Sequence, residues 1–222
     1  MKPNTASDYI VPPCNEEVKL LYRDEHLLLV DKPSGLLSVP GKHPANRDCL
    51  ISRLQQSFPQ ARIVHRLDLD TSGVMVVALD PDTHRQLNRQ FEQRRIAKEY
   101  EAIVYGAVAQ DAGLIDLPLI CDWPNRPRQK VDLLGGKAAQ TRYRVIDRQD
   151  DRSRLQLKPV TGRSHQLRVH LMAIGHPILG CDFYAHPEAL AMAGRLQLHA
   201  TRLEFQHPVS GVDIHGCSPC PF

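Results

Sequence analysis

Long apolar runs are absent from this 222-residue sequence. No stretch approaches the roughly 20 consecutive apolar residues of a membrane span, so no membrane partner is expected. The opening MKPNTASDYIVPPCNEE has neither an apolar core nor a cleavage signal, which argues against secretion. Cysteine is sparse. The six residues, at positions 14, 49, 121, 181, 217 and 220, lack the density of a disulfide scaffold and point to a reducing, cytoplasmic setting. The C-terminal HGCSPCPF holds one C-x-x-C beside His215, but no second pair completes a four-ligand zinc site. A redox motif would open a helix, whereas this one lies at the end of the chain. Missing too are G-x-x-x-x-G-K-[ST], a G-x-G-x-x-G after a strand, H-E-x-x-H and G-x-S-x-G. The expectation is a protein with no metal and no cofactor, whose chemistry is done by side chains alone.

What is present is ordinary globular material. An apolar fraction of 42% can build a core, and 24% charged residues suit a surface in water. The length fits one large domain or two small ones, at roughly 100–200 residues per domain. A net charge of +3 permits an anionic partner without identifying one. There is neither an internal repeat nor a low-complexity segment, and nothing marks a protein partner.

Residues 1–19, proline-rich and without periodicity, read as an extended arm, and residues 20–222 as a single domain. LLYRD and HLLLVDKP predict two short strands around a turn at Asp24–Glu25. RDCLISRLQQSFP predicts a short helix with Leu50, Ile51 and Leu54 on one face. DPDTHRQLNRQFEQRRIA predicts another, acidic at its start and basic at its end as the helix dipole favours. From Lys98 the period becomes that of strands: KEYEAIVYG, GLIDLPLI, AAQTRYRVIDR and SRLQLKPV, with LQLHATRLEFQHP later. TGRSHQLRVHLMAIGHPILG interrupts them as a helix capped by Thr161 or Ser164, stopped by Gly175, with Leu167, Leu171 and Ile174 as its buried stripe. Strands that arrive in series predict an α+β fold with a mostly antiparallel mixed sheet and flanking helices.

The stretch VHRLDLDTSGVMVVAL, residues 64–79, raises the functional question. It sets the basic pair His65 and Arg66 against Asp68 and Asp70, then Thr71, Ser72 and Gly73, then a buried-strand run. Binding and catalytic groups concentrate on loops anchored by strands. A turn aspartate that only accepts local hydrogen bonds would fit as well.

HRLDLDTSG resembles the H-R-L-D-x-x-T-S-G signature of the RluA family of pseudouridine synthases. VDKPSGLLSVPG is similar to the family's K-P-x-G segment, KEYEAIVYG to its K-x-Y strand, and GRSHQLRVHLMAIGHPILGCDFYA to its G-R-x-H-Q-I/L-R-x-H block and the G-H-P-I-x-G-D that follows. The order agrees over about residues 20–208. Cys181 departs from the pattern, standing where an aspartate commonly follows the glycine, with Asp182 next to it. The resemblance implies the pseudouridine synthase fold and an isomerase that modifies RNA without a cofactor. It also implies no appended S4 RNA-binding domain, since about thirty residues precede the D-K-P strand. LPLICDWPNRPRQKV and the compact length are most similar to the short members acting on both 23S ribosomal RNA and transfer RNA. The partners implied are a 23S rRNA hairpin and a tRNA anticodon stem-loop. The alternatives are a member with a single RNA substrate, a silent RNA-binding protein on the same fold, and a ribosidase releasing uracil.

Making pseudouridine breaks the C1′–N1 glycosidic bond and rejoins C1′ to C5. A carboxylate can stabilise or trap the positive charge built at C1′, or take a sugar proton as a base. By the motif that residue is Asp68, while Asp70 sits at a variable position. Arg163 corresponds to the family's arginine that pairs with this aspartate, and an opposite charge favours an ionised carboxylate. Tyr100 corresponds to the tyrosine that stacks on the target base, and it shares a strand face with Ala102 and Val104. Arg66 is placed to fill the space a flipped base vacates, or to bind phosphate. Leu167 is the remaining substrate-binding candidate. Lys32 reads as a packed strand-end lysine. His165, Gln166 and His170 read as candidates for RNA contact or for supporting the site, or else as residues held in core or capping hydrogen bonds, and RQLNRQFEQRRIAK and NRPRQK as cations available to phosphates.

Overall fold

The computed structural model describes residues 9–222, so the first eight residues of the expected arm lie outside the described residues. Residues 9–18 carry no regular secondary structure. They are tied down through Asn46, which accepts from Val11 N–H and donates to the Tyr9 carbonyl, and through Arg53, which donates to the Glu16 carbonyl. The chain forms two compact units. One runs to Lys98 and resumes over Ala200–Pro221; the other comprises Glu99–His199 with Phe222.

In the first unit β1 (Lys19–Arg23) and β2 (Leu27–Lys32) form the expected hairpin. Its turn is set by Asp24, whose carboxylate accepts from the N–H groups of His26 and Leu27. Then come α1 (Leu50–Gln55), β3 (Arg62–Ile63), β4 (Ser72–Ala78) and α2 (Pro81–Glu92). The chain returns as β11 (Leu198–Gln206) and β12 (Asp213–Cys217). The order is β1-β2-β4-β11, with β3 on β4 and β12 on β11. Every residue of β4 is buried, as its unbroken apolar run requires. Gly73, at the start of β4, has φ 120°, and a Cβ there would come within 2.3 Å of the Ala200 carbonyl oxygen. The glycine of T-S-G thus lets β4 lie against β11. Helix α2 starts as its sequence demands, with the Asp80 carboxylate accepting from Thr83 N–H.

In the second unit β5 (Ala97–Tyr105, from Glu99 on), β10 (Arg152–Pro159), β9 (Gln140–Arg148) and β6 (Ala112–Asp116) pair antiparallel in that order. The run read as one strand over GLIDLPLI divides. β7 (Leu119–Cys121) leaves β6 behind and pairs with β8 (Gln129–Val131). Pro118, with no N–H to give a ladder, stands at the break. Helix α3 (Gln166–Ala173) is buried through six consecutive residues, Gln166–Leu171, not along one stripe, and Ile174 lies past its end. Leu167 and Leu171 join Ala102, Val104, Leu155 and Leu157 in the unit's main core. A short α4 (Pro187–Ala191) precedes β11.

Candidate active site

Asp68 lies on the loop between β3 and β4, in a turn closed by Thr71 N–H donating to the Asp68 carbonyl (3.2 Å). Five hydrogen bonds lock this loop to residues 32–38. Ser38 Oγ donates to the Leu67 carbonyl (2.8 Å) and accepts from Leu67 N–H (3.2 Å). Ser34 Oγ donates to the Asp70 carbonyl (2.8 Å), and Gly35 N–H to the Leu69 carbonyl (3.0 Å). Lys32 Nζ donates to the carbonyls of Leu69 (3.0 Å), Pro33 and Leu36 (both 2.8 Å). Lys32 is 0% exposed, so its charge is carried among backbone dipoles in place of water. The similarity of K-P-x-G and H-R-L-D-x-x-T-S-G to one family thus has a common physical cause: the first segment is the bed of the second.

Asp68 itself is half-buried, and Arg66 is exposed. His65 is not the cation its neighbours suggest. Its ring is enclosed, although part of the residue reaches the surface, and it packs 4.7 Å from the ring of Phe91. Its Nε2 accepts from Val76 N–H (3.1 Å), which fixes a neutral tautomer. Burial, with the nearby Lys98 charge, pushes its pKa down to about 3. The expected basic pair is therefore a single cation, Arg66.

In the second unit Tyr100 stands opposite Leu157 of β10, half-buried against the core cluster that contains Leu167. Those two candidates share one apolar neighbourhood. Arg163 is exposed on the loop before α3, and its Nε donates to the Ala138 carbonyl (3.2 Å). Neither Thr161 nor Ser164 caps the helix. His165 occupies the cap position with φ 54°, and no side-chain cap is made. Gln166 organises the loop instead. Its Oε1 accepts from Thr161 Oγ1 (2.7 Å) and Arg163 N–H (3.0 Å), while its Nε2 donates to the Gln140 carbonyl and Thr141 Oγ1. His170, buried and bonded to Thr141 Oγ1 and the Leu117 carbonyl, has its pKa lowered by burial.

Arg168 was not singled out from sequence. It is 2% exposed and donates to Asp182 (2.7 Å) and to Cys181 Sγ (3.3 Å), beside the rings of Phe183 and Tyr184. Its place in the H-Q-L-R-x-H block was the available signal. Asp182 thus has a partner next to the departure at Cys181. Among the described residues, no cluster of His, Cys, Asp and Glu suits a metal ion, no disulfide joins Cys217 to Cys220, and no helix is long and apolar enough to cross a membrane.

A family model described as RNA pseudouridylate synthase matches residues 26–173, two-thirds of the chain, including both the Asp68 and the Arg163 loops. The chain belongs to the RNA pseudouridylate synthase family. Pseudouridine synthases are isomerases that convert uridine in RNA to its C-glycoside, and this chain is one of them. It is 61% identical over 197 residues to the dual-specificity RNA pseudouridine synthase RluA of Yersinia pestis, covering 88% of this chain and 96% of that one. To the protein of the same name from Escherichia coli K12 it is 53% identical over 212 residues, covering 95% and 97%. Among solved structures, human RNA pseudouridylate synthase domain containing 1 superposes with a TM-score of 0.80 at 29% identity, covering 95% of this chain and 86% of that one. The α+β architecture read from sequence is thus that of other pseudouridylate synthases.

Proposed function

We propose that this pseudouridine synthase modifies one loop uridine in a 23S rRNA hairpin and one in the tRNA anticodon stem-loop, with Asp68 as the catalytic carboxylate. The observation that carries the reading is the Asp68 loop, seated by five hydrogen bonds on residues 32–38 with its aspartate left half-exposed. A rigid loop carrying a half-buried carboxylate is what attack at C1′, or removal of a sugar proton, needs. In either route the C1′–N1 bond breaks, the uracil turns, and C1′ bonds to C5. The C5 proton is then lost and N1 is reprotonated.

In this reading Arg163 is the cation for the carboxylate, Tyr100 stacks on the base, Arg66 fills the vacated position or holds phosphate, and Leu167 backs the base. The dual-specificity name of relatives 50–61% identical supports two substrates, and so does their matching length, covered to 92–97%. The family match runs across the boundary between the two units, which supports a single catalytic module over residues 20–222 behind an N-terminal arm. A protein acting on these RNAs works in the cytoplasm. Loops are where RNA bases can be splayed out and read.

The test is turnover on the two isolated hairpins, with pseudouridine mapped to the nucleotide. Conversion of both supports the reading, conversion of one leaves a single-substrate enzyme, and free uracil would mean hydrolysis. Binding weakens with added salt as phosphate contacts are lost.

A further inference from the structure

The only tryptophan in the sequence is among the most exposed large side chains described: Trp123 is 66% exposed, in the 3-10 turn Trp123–Asn125 that links β7 to β8. The turn is a built feature. Asp122 N–H donates to the Arg128 carbonyl (3.0 Å), Arg128 N–H to the Asn125 carbonyl (3.0 Å), and Asn125 bonds Asp122 through both backbone and side chain (2.9 Å each). The Arg126 guanidinium carbon lies 4.5 Å over the indole, so a cation backs the ring while most of the residue stays open. Arg128 and Lys130 are also exposed on this hairpin. Its two carboxylates are engaged locally, Asp122 accepting from the Asn125 side chain and Asp132 from the N–H groups of Leu134 and Gly135.

The hairpin is also joined to the Arg163 loop. Gln129 N–H donates to the Tyr184 hydroxyl (2.8 Å), and that hydroxyl lies 2.6 Å from Nδ1 of His165, two residues from Arg163. We propose that Trp123, backed by Arg126, is a stacking platform for an unpaired base of the RNA substrate other than the target uridine. An exposed aromatic flanked by cations suits a partner with a π-face and a phosphate on every unit, which is how single-stranded nucleic acid is held without sequence readout. An apolar protein surface would meet three cations here and find no charge complement. The inference rests on RNA hairpins being the substrate, and its test separates the two.

Because Trp123 is the sole tryptophan, fluorescence excited at the red edge of the indole band, where the six tyrosines do not absorb, reports this position alone. Titrating the full chain with the anticodon stem-loop is expected to quench the emission in step with binding. Trp123→Ala should weaken binding roughly tenfold and raise KM more than it lowers kcat. Trp123→Phe should recover most of the loss, and Arg126→Ala should weaken binding to a smaller degree. The side chain is exposed, so the variants are expected to keep the parent circular dichroism and thermal midpoint. Unchanged emission through saturation, while the stem-loop is converted to pseudouridine, would overturn the platform and leave the substrate reading intact. So would parent affinity in Trp123→Ala, or a spectral change seen with ribosomal particles but not with protein-free RNA. Failure to convert any hairpin would remove the substrate reading, and the platform with it.

Discussion

Lys32 and Leu69, 37 residues apart in sequence, meet at 3.0 Å, where the buried lysine ammonium donates to the carbonyl of the residue after Asp68. The same ammonium holds the carbonyls of Pro33 and Leu36. Lys32→Met keeps the volume but leaves three carbonyl acceptors, two of them buried, without their donor. A loss of about 3 kcal/mol in urea unfolding is expected from removing such charge-assisted bonds. Turnover should fall further than stability alone explains, because the Asp68 loop loses part of its bed. Parent stability and turnover in this variant would show that the ammonium positions nothing.

Asp68→Asn should abolish pseudouridine formation while RNA affinity stays within a few-fold of the parent. The amide keeps the shape but neither attacks nor accepts a proton. Asp70→Asn should retain most activity. Nucleoside analysis of treated RNA checks both, and the reverse result would put the working carboxylate at position 70.

Gln166→Leu removes the side chain that accepts from Arg163 N–H and Thr161 Oγ1. The loop carrying Arg163 should loosen, with kcat falling about tenfold or more, as displacement of an oriented group costs. Arg163→Met should be at least as damaging. Amide exchange at residues 161–165 distinguishes the two, with faster exchange in the glutamine variant alone.

Tyr100→Phe should keep most binding, and Tyr100→Ala should lose on the order of 1–3 kcal/mol of base stacking. The comparison is made by RNA titration, with thermal unfolding as the control for packing against the Leu167 cluster. Equal damage from Phe and Ala would make the hydroxyl the working part.

His65 ties stability to pH. The unfolded imidazole takes up its proton near 6.5, the folded one only at about 3. Between those values the unfolded chain binds more protons, so stability falls as pH drops from about 6.5 towards 3, by up to about 1.4 kcal/mol per unit from this group. His65→Gln can still accept from Val76 N–H but does not titrate, so its urea midpoint should decline less steeply from pH 7 to 4.5. Equal slopes would count against the enclosed, neutral ring.

The parts legible in the sequence were those written locally. The apolar run after T-S-G became β4, the aspartate before α2 became its cap, and Asp24 made the first turn. What was hidden depends on residues distant in the chain. Nothing near Lys32 announces that its ammonium belongs to a loop 37 residues on. His65 looks basic until Phe91 and Val76 close over it. Thr161 or Ser164 fits the local pattern of a cap, whereas the Thr161 hydroxyl goes to Gln166 and the cap position to His165. The arginines of NRPRQK read as cations available to phosphates, but the Trp123–Arg126 pair becomes visible only with the turn that presents it.

The first unit is discontinuous in sequence, and the second lies wholly between its parts save for Phe222. On a ribosome, residues 99–199 are all available before β11 is complete, but the unit that bears Asp68 must wait for it. Until then β4, seven uncharged residues buried along their whole length, has an edge without its β11 neighbour. Such an edge is a template for pairing with another chain. Slow translation beyond residue 199, or truncation there, should therefore yield insoluble protein, and a chaperone that shields apolar strands should matter most in that interval.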